Sequence, residues 1–304
     1  MHTTLDQDDR TPGTGRTATR TMRAVLGLFK LRIGVVIMAT ALVGLAVTPG
    51  PALSMTQWVV LALSVLVSSA SAGAFNQYVE HEGDRLMART RNRAFVTGAL
   101  PHSAAWVVLI LALLAVSVGA AWLALNAVSA LFVFLGAFFY AVVYTVWLKR
   151  RSWINIVIGG LAGSFAVLAG AAAADPTPGA LPLLLALVLF LWTPPHFWSL
   201  AIANHADYVA AGVPMLPVVV GVDRAARIVL WSTVALVSAS LLPAFFGAGP
   251  VYLGGALLGG LFFVHKAWVL ARAPSRRAAM ASFFASLLQL SVLLLAAALD
   301  VAVR

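Results

Sequence analysis

Apolar runs of bilayer length recur along almost the whole of this 304-residue chain, and they fix its class before any single residue is considered. Nine are visible, at roughly 31–48, 57–79, 104–122, 125–147, 153–173, 180–202, 227–247, 250–270 and 279–300. About 20 helical residues cover a hydrocarbon core roughly 30 Å thick, so each run is long enough to cross. Inside lipid a spanning segment must satisfy its own backbone hydrogen bonds, which leaves a helix as the only solution for a run of this length. The reading is an all-α integral membrane protein, a bundle of about nine transmembrane helices around a central cavity. With 62% hydrophobic and 10% charged residues, the chain is far from soluble composition. The fourth run follows the third after a very short turn, and Pro194-Pro195 interrupts the sixth.

The formal net charge of +10 does not call for a nucleic acid, because the basic residues alternate with the spans. Arg10 to Arg32, Arg85 to Arg93, Lys149 to Arg151, Arg224 with Arg227, and Lys266 to Arg277 fall on one side, leaving only Arg304 on the other. By the positive-inside rule the N-terminus is cytoplasmic and the C-terminus outside, which requires an odd number of spans. The first 22 residues are polar, Thr/Arg-rich and carry Asp6, Asp8 and Asp9, so they lack a signal-peptide core and are too acidic for a transit peptide. Residues 1–28 are expected as a disordered cytoplasmic tail, and 29–304 as one membrane domain in the cell membrane. The absence of cysteine removes disulfides, thiolate metal sites and thiol nucleophiles.

Chemistry concentrates where the second run ends, in NQYVEHEGDRLMARTRNR. Asn76, Glu80 and Asp84 recur every fourth residue, so on a helix they sweep about 80° and present three oxygen ligands on nearly one face. Oxygen ligands suit Mg²⁺, and the arginines that follow, Arg85, Arg89, Arg91 and Arg93, suit phosphate oxygens. Together they describe a metal–diphosphate site. Topology explains arginines in such a loop but not carboxylates at helical spacing.

A second acidic loop, NHADYVAAGVPMLP, follows the sixth run, four spans later. That spacing suggests two related four-helix units whose loops face each other, with Asp207 supplying ligands to a second Mg²⁺, although a lone loop Asp is ordinarily just solvated. Lys149 and Arg150, between the two loops, are diphosphate-binding candidates as well as ordinary positive-inside residues. Tyr140 and Tyr144, one helical turn apart, are either interface aromatics or π faces for an allylic cation. His196, in WTPPHFW, is an ionisable residue well inside a span. It is either a contact to a second substrate or a partner for a carbonyl freed by the prolines. His81, His102, His205 and His265 show no metal-ligand spacing. Gly159, Gly160, Gly163 and Gly170 suit close helix packing.

At these residues the chain resembles the UbiA-type membrane prenyltransferases, and within them the branch that farnesylates heme. The resemblance runs from about Lys30 to Asp300. Its first motif is met by Asn76, Glu80, Asp84, Met87, Arg89, Thr90 and Arg93. YTVWLKRRSWINIVIGG, WTPPHFW, DYVAAGVPMLPVV and FFASLLQLSVLLLAAALD look like the heme branch in particular. Three positions depart from it: Glu80 stands where Asp is usual, His205 near where Lys is common, and Phe165-Ala166-Val167 in place of a proline pair.

The resemblance implies transfer of a farnesyl group from farnesyl diphosphate to a vinyl group of heme B. Mg²⁺ would be held by Asn76, Glu80, Asp84 and Asp207, with Arg89, Arg93, Lys149 and Arg150 on the diphosphate. Tyr144 would line the cavity, with His196 near the heme. It also implies hand-over of the product to heme A synthase or a terminal oxidase. A quinone or chlorophyll precursor as acceptor, and a transporter, remain the competing readings.

Overall fold

The computed structural model describes residues 22–303, and within them all regular structure is helical. The expected tail lies outside the described residues up to position 21, whereas Met22–Leu28 form a helix, α1. The remaining elements are α2 (Leu31–Ala46), α3 (Met55–Val79), α4 (His81–Arg85), α5 (Ala104–Ala124), α6 (Ala127–Phe138), α7 (Asn155–Gly159), α8 (Leu161–Ala174) and α9 (Ala180–Ala203). They continue with α10 (His205–Ala210), α11 (Leu216–Val220), α12 (Val222–Leu241), α13 (Pro250–Arg272) and α14 (Arg276–Ala302). Eight of the described helical segments are each long and apolar enough to cross a membrane, and α1 and α2, bent by 41° at the break, reach that length and hydropathy only when taken together.

Local chemistry explains several helix starts. Ser54 opens α3 with a capping box: its hydroxyl accepts from the Gln57 N–H, and the Gln57 side chain accepts from the Ser54 N–H. In the very short turn between α5 and α6, Asn126 accepts from the Ser129 N–H at 2.9 Å, so one residue caps the new helix. Ser275 does the same for α14 through the Ala278 N–H. Pro194 and Pro195 do not break α9, which runs unbroken from Ala180 to Ala203. Lipid offers no competing hydrogen-bond partners, and neighbouring helices hold such a segment together.

The helices α2, α3, α5 and α6 pack as one group, and α9, α12, α13 and α14 as another, with α8 between them: it lies on α9 on one side and on α2 and α6 on the other, most extensively on α2. At that seam Gly44 faces the backbone of Val167, and Gly170 faces the backbone of Ala41 and Leu45. A side chain at either position would prevent this approach, which makes Gly170 a packing glycine as its spacing suggests. Hydroxyls tie neighbours together where backbones come close: Ser129 donates to the Ala169 carbonyl at 2.8 Å and Ser164 to Ala186 at 2.7 Å. The helix α5 is mostly exposed along its length, while α3, α8 and α9 are about half buried, so the core lies along the seam.

The fourth span changes character halfway. From Phe139 to Leu148 it winds as a π-helix, wider than the α-helix that precedes it. Such segments are rare and cluster at functional sites. Here the Lys149 N–H reaches back five residues to the Tyr144 carbonyl at 2.9 Å, and the segment packs on α3 so that Thr145 meets Asn76 and Lys149 meets Glu80.

Candidate active site

Three oxygen-bearing side chains at the α3–α4 junction are buried, and each is held by its own cation. Asn76, Glu80 and Asp84 stay in helical register across the junction, because the Glu80 N–H donates to the Asn76 carbonyl and the Asp84 N–H to that of Glu80. Asn76 Oδ1 accepts from Lys30 Nζ at 2.9 Å, and its Nδ2 donates to Thr145 Oγ1 at 3.1 Å. Glu80 forms an ion pair with Lys149. Asp84 Oδ2 pairs with Arg93 Nη1 at 2.6 Å, and the Asp84 carbonyl accepts from the Thr90 hydroxyl at 3.0 Å.

Lys149 lies just beyond its span. Burial, with the charges of Lys30 and Arg150 nearby, pulls its ammonium down to about 7, and the Glu80 carboxylate favours the charged form against that pull. Asn155, fully buried at the start of α7, donates to the Lys149 carbonyl at 3.2 Å and so fixes the turn that presents it.

Lys30 is the residue the sequence hid among the positive-inside cations. It occupies the break between α1 and α2 with φ 47°, a left-handed conformation that a side chain rarely adopts, and it is the one non-glycine residue with positive φ among the described residues. That geometry sends Nζ to Asn76 and, at 3.3 Å, to the Tyr140 hydroxyl. Backbone strain of this kind persists where surrounding contacts over-determine it. Gln77 adds to the hold by donating to the carbonyls of Gly27 and Leu28. A lysine opening an apolar run was the available signal. Tyr140 and Tyr144 stack beside it, with ring centroids 5.7 Å apart and planes 14° apart.

The two acidic loops do meet, but not through a shared cluster of carboxylates. Asp207 Oδ1 accepts from the Ala88 N–H and Oδ2 from the Arg89 N–H, both at 3.3 Å. Met87, buried in the same loop, belongs to an apolar cluster with Tyr208, Val213 and Met215. Asp207, expected as a metal ligand, therefore clamps the backbone that carries Arg89. The side chains of Arg89 and Arg150 have no hydrogen-bond or ion-pair partner among the described residues, which leaves their charge uncommitted.

His196 is not brought to this cluster. Its ring lies between Trp192 (centroids 4.1 Å apart) and Phe283 (4.6 Å), and Nδ1 meets Ser286 Oγ at 2.6 Å. Trp192 Nε1 donates to the Ser286 carbonyl at 2.9 Å. His196 is thus a strut between α9 and α14, and its side-chain partner is a hydroxyl of α14 rather than a carbonyl freed by the prolines.

Among the described residues no three His, Asp or Glu side chains converge into a cage that would hold a metal alone. Mg²⁺ does not need one, since it keeps waters and is commonly held by one or two carboxylates plus substrate phosphate. Asp84 Oδ1 is buried without a donor, an oxygen whose desolvation a cation would offset. Two carboxylates and an amide oxygen are the right donor chemistry, so the residues fit the ion.

Residues 37–288 match the UbiA prenyltransferase family. Protoheme IX farnesyltransferase 2 of Paramagnetospirillum magneticum is 56% identical over 91% of this chain and 96% of its own length. Among solved structures, that of a digeranylgeranylglyceryl phosphate synthase superposes with TM-score 0.76 at 17% identity, covering 93% of this chain and 99% of that one. A UbiA homolog from Archaeoglobus fulgidus bound to DMAPP and Mg²⁺ superposes with TM-score 0.68 at 16% identity, covering 88% and 98%. A bundle with at least eight helical segments of membrane-spanning length among the described residues, its polar residues gathered at the end of α3, and a family match over most of the chain agree: this is a multi-pass membrane prenyltransferase and belongs to the UbiA prenyltransferase family.

Proposed function

We propose that the chain transfers a farnesyl group from farnesyl diphosphate to a vinyl group of heme B, yielding heme O. The observation that carries this is the buried Asn76–Glu80–Asp84 row with a cation on each member, in a chain 56% identical to a protein named for that reaction. Asn76, Glu80 and Asp84 hold Mg²⁺, which when bound neutralises charge on the departing diphosphate. A row of oxygens carrying its own cations is suited to an exchange: with Mg²⁺ bound, Asn76, Glu80 and Asp84 would hold the ion and Lys30, Lys149 and Arg93 would be free to bind diphosphate. Arg89 and Arg150, already uncommitted, meet the donor first, and Asp207 acts through the Arg89 backbone.

As the carbon–oxygen bond breaks, diphosphate keeps the electron pair and the vinyl π electrons attack the allylic carbon; water then adds to the cation left on the former vinyl carbon and loses a proton, giving the hydroxyl of heme O. The basic residues then stabilise charge that exists only as the bond breaks. The stacked faces of Tyr140 and Tyr144 shield the allylic cation from water and stabilise it by their π density. Heme B, flat and apolar with two carboxylates, enters from between the helices with its propionates toward the basic edge. His196 supports α9 in this reading, its ring being enclosed by α9 and α14.

The run of Lys and Arg in alternate loops supports a site at the cytoplasmic edge of the cell membrane, with the C-terminus outside. An apolar product stays in the bilayer, suiting direct hand-over to heme A synthase or a terminal oxidase. A transporter would carry its polar residues at the midplane, whereas these gather at one end of α3. The test is to incubate purified protein with heme B, farnesyl diphosphate and Mg²⁺ and weigh the product. Heme O should form, and Glu80→Gln or Asp84→Asn should abolish it. Prenylation of a quinone precursor in preference to heme would overturn the acceptor assignment.

A further inference from the structure

Gly83 lies in α4 between two of the oxygen ligands, and nothing about its backbone explains it. Its φ is not positive, so the left-handed freedom that usually calls for glycine is not in use. Glycine is also a poor helix former compared with alanine. What distinguishes the position is the space its missing side chain leaves. A Cβ placed there would run into the Arg150 guanidinium, and the three atoms nearest to that point, Nη2, Cζ and Nη1, all belong to Arg150. The guanidinium therefore rests on the bare Cα of Gly83. Residues three apart on a helix are surface neighbours, so this seat adjoins Glu80, while Asp84 follows next along the chain.

Apart from Arg89, most of the other cations nearby are occupied. Lys30 is bound to Asn76, Lys149 to Glu80 and Arg93 to Asp84, while Arg85 pairs with Glu82 and Arg151 donates to the Trp147 carbonyl. Arg150 has no polar partner among the described residues, yet it is placed within one turn of two candidate metal ligands. A guanidinium seated end-on against a backbone through Nη2 has its plane fixed and its Nη1 end turned outward, where it can meet a phosphate oxygen.

We infer that Gly83 is a positioning residue for donor binding: by lacking a side chain it seats the Arg150 guanidinium on α4, where it binds the diphosphate of the prenyl donor. The inference rests on the proposed use of Asn76, Glu80 and Asp84 as the metal–diphosphate site. A methyl at position 83 displaces Arg150 without removing its charge, while leaving α4 at least as helical as before. Gly83→Ala should therefore lower affinity for the donor and spare both stability and the heme side of the reaction.

The experiment measures binding of inorganic diphosphate in the presence of Mg²⁺ to detergent-solubilised protein, by calorimetry, alongside steady-state kinetics and melting temperature. Gly83→Ala should weaken diphosphate binding by about tenfold, the size expected for losing one charge-assisted contact. It should raise KM for farnesyl diphosphate similarly, lower kcat by less than it raises that KM, leave KM for heme within about twofold, and not lower the melting temperature. Arg150→Ala should weaken binding at least as much, and Gly83→Ala/Arg150→Ala no further than Arg150→Ala alone, since the glycine acts only through the arginine. Arg150→Lys, which keeps charge but loses the plane, should resemble Gly83→Ala.

Unchanged binding in Gly83→Ala, or losses that add in the double variant, would overturn the inference. If Arg150→Ala binds normally while Glu80→Gln and Asp84→Asn lose diphosphate, the inference fails and the donor-site reading stands. If those two also bind normally, the donor-site reading itself fails.

Discussion

Glu80 and Lys149 are both buried and paired, so removing one partner should cost far more than removing both. Lys149→Met leaves a carboxylate enclosed at the α3–α4 junction, and Glu80→Gln leaves an ammonium between Lys30 and Arg150. Breaking a buried pair from one side typically costs about 3–5 kcal/mol, because the survivor must lose its charge or be resolvated. At about 2 °C per kcal/mol for a chain of this size, each single variant should melt roughly 6–10 °C lower. In Glu80→Gln/Lys149→Met no charge is stranded, and most of that loss should return. Prenyl transfer should stay absent in all three, since the double variant restores packing but neither a metal ligand nor a diphosphate cation. The assay is a thermal melt in detergent beside product mass measurement. A double variant no more stable than the worse single would refute the ion-pair argument. One that regained transfer would show that neither residue takes part in the chemistry.

Asp207→Asn keeps an acceptor for the Arg89 N–H and should raise KM for the donor by no more than about tenfold, whereas a loss of kcat as complete as that of Asp84→Asn would mark Asp207 as a metal ligand instead. Lys30→Gly relieves a left-handed conformation that costs a side-chain-bearing residue about 1–2 kcal/mol but leaves the buried Asn76 Oδ1 without its donor at about 1–3 kcal/mol, so melting should change by only a few degrees while donor binding falls; a large loss of stability with unaltered binding would contradict this. Chelation with EDTA should stop transfer, with Mg²⁺ but not Ca²⁺ restoring it in a product assay, because the site offers few protein ligands to a larger ion that prefers more of them. His196→Ala opens a gap between Trp192 and Phe283 and should lower stability by about 3–5 kcal/mol without altering the heme absorbance shift of the folded fraction; loss of that shift at normal stability would restore His196 as a heme contact.

Much of the architecture was legible because the relevant physics is local. Whether some 20 residues prefer lipid depends on those residues alone, so the runs read from sequence agree with α3, α5, α6 with its π segment, α7–α8, α9, α12, α13 and α14 to within a few positions. The first span was less legible, being broken at Lys30, and no composition rule reports a 41° bend. Pro194-Pro195 misled in the opposite direction, because proline's cost in a helix depends on what surrounds it. The π-helical winding of 139–148 was hidden for the same reason.

The sequence by itself determined a multi-span helical membrane protein, and it determined that Asn76, Glu80 and Asp84 share a face. Both follow from transfer free energy and helical periodicity, which act within a segment. Only the tertiary structure decided which group each of them meets. Lys30 reaches Asn76 across 46 residues, Lys149 reaches Glu80 across 69, and Asp207 reaches the Arg89 backbone across 118. Such pairings depend on how helices pack and where a missing side chain, as at Gly83, lets a charge approach. Charges in these loops look alike in sequence, and position in space alone separates those that meet the oxygen ligands from those that only set orientation.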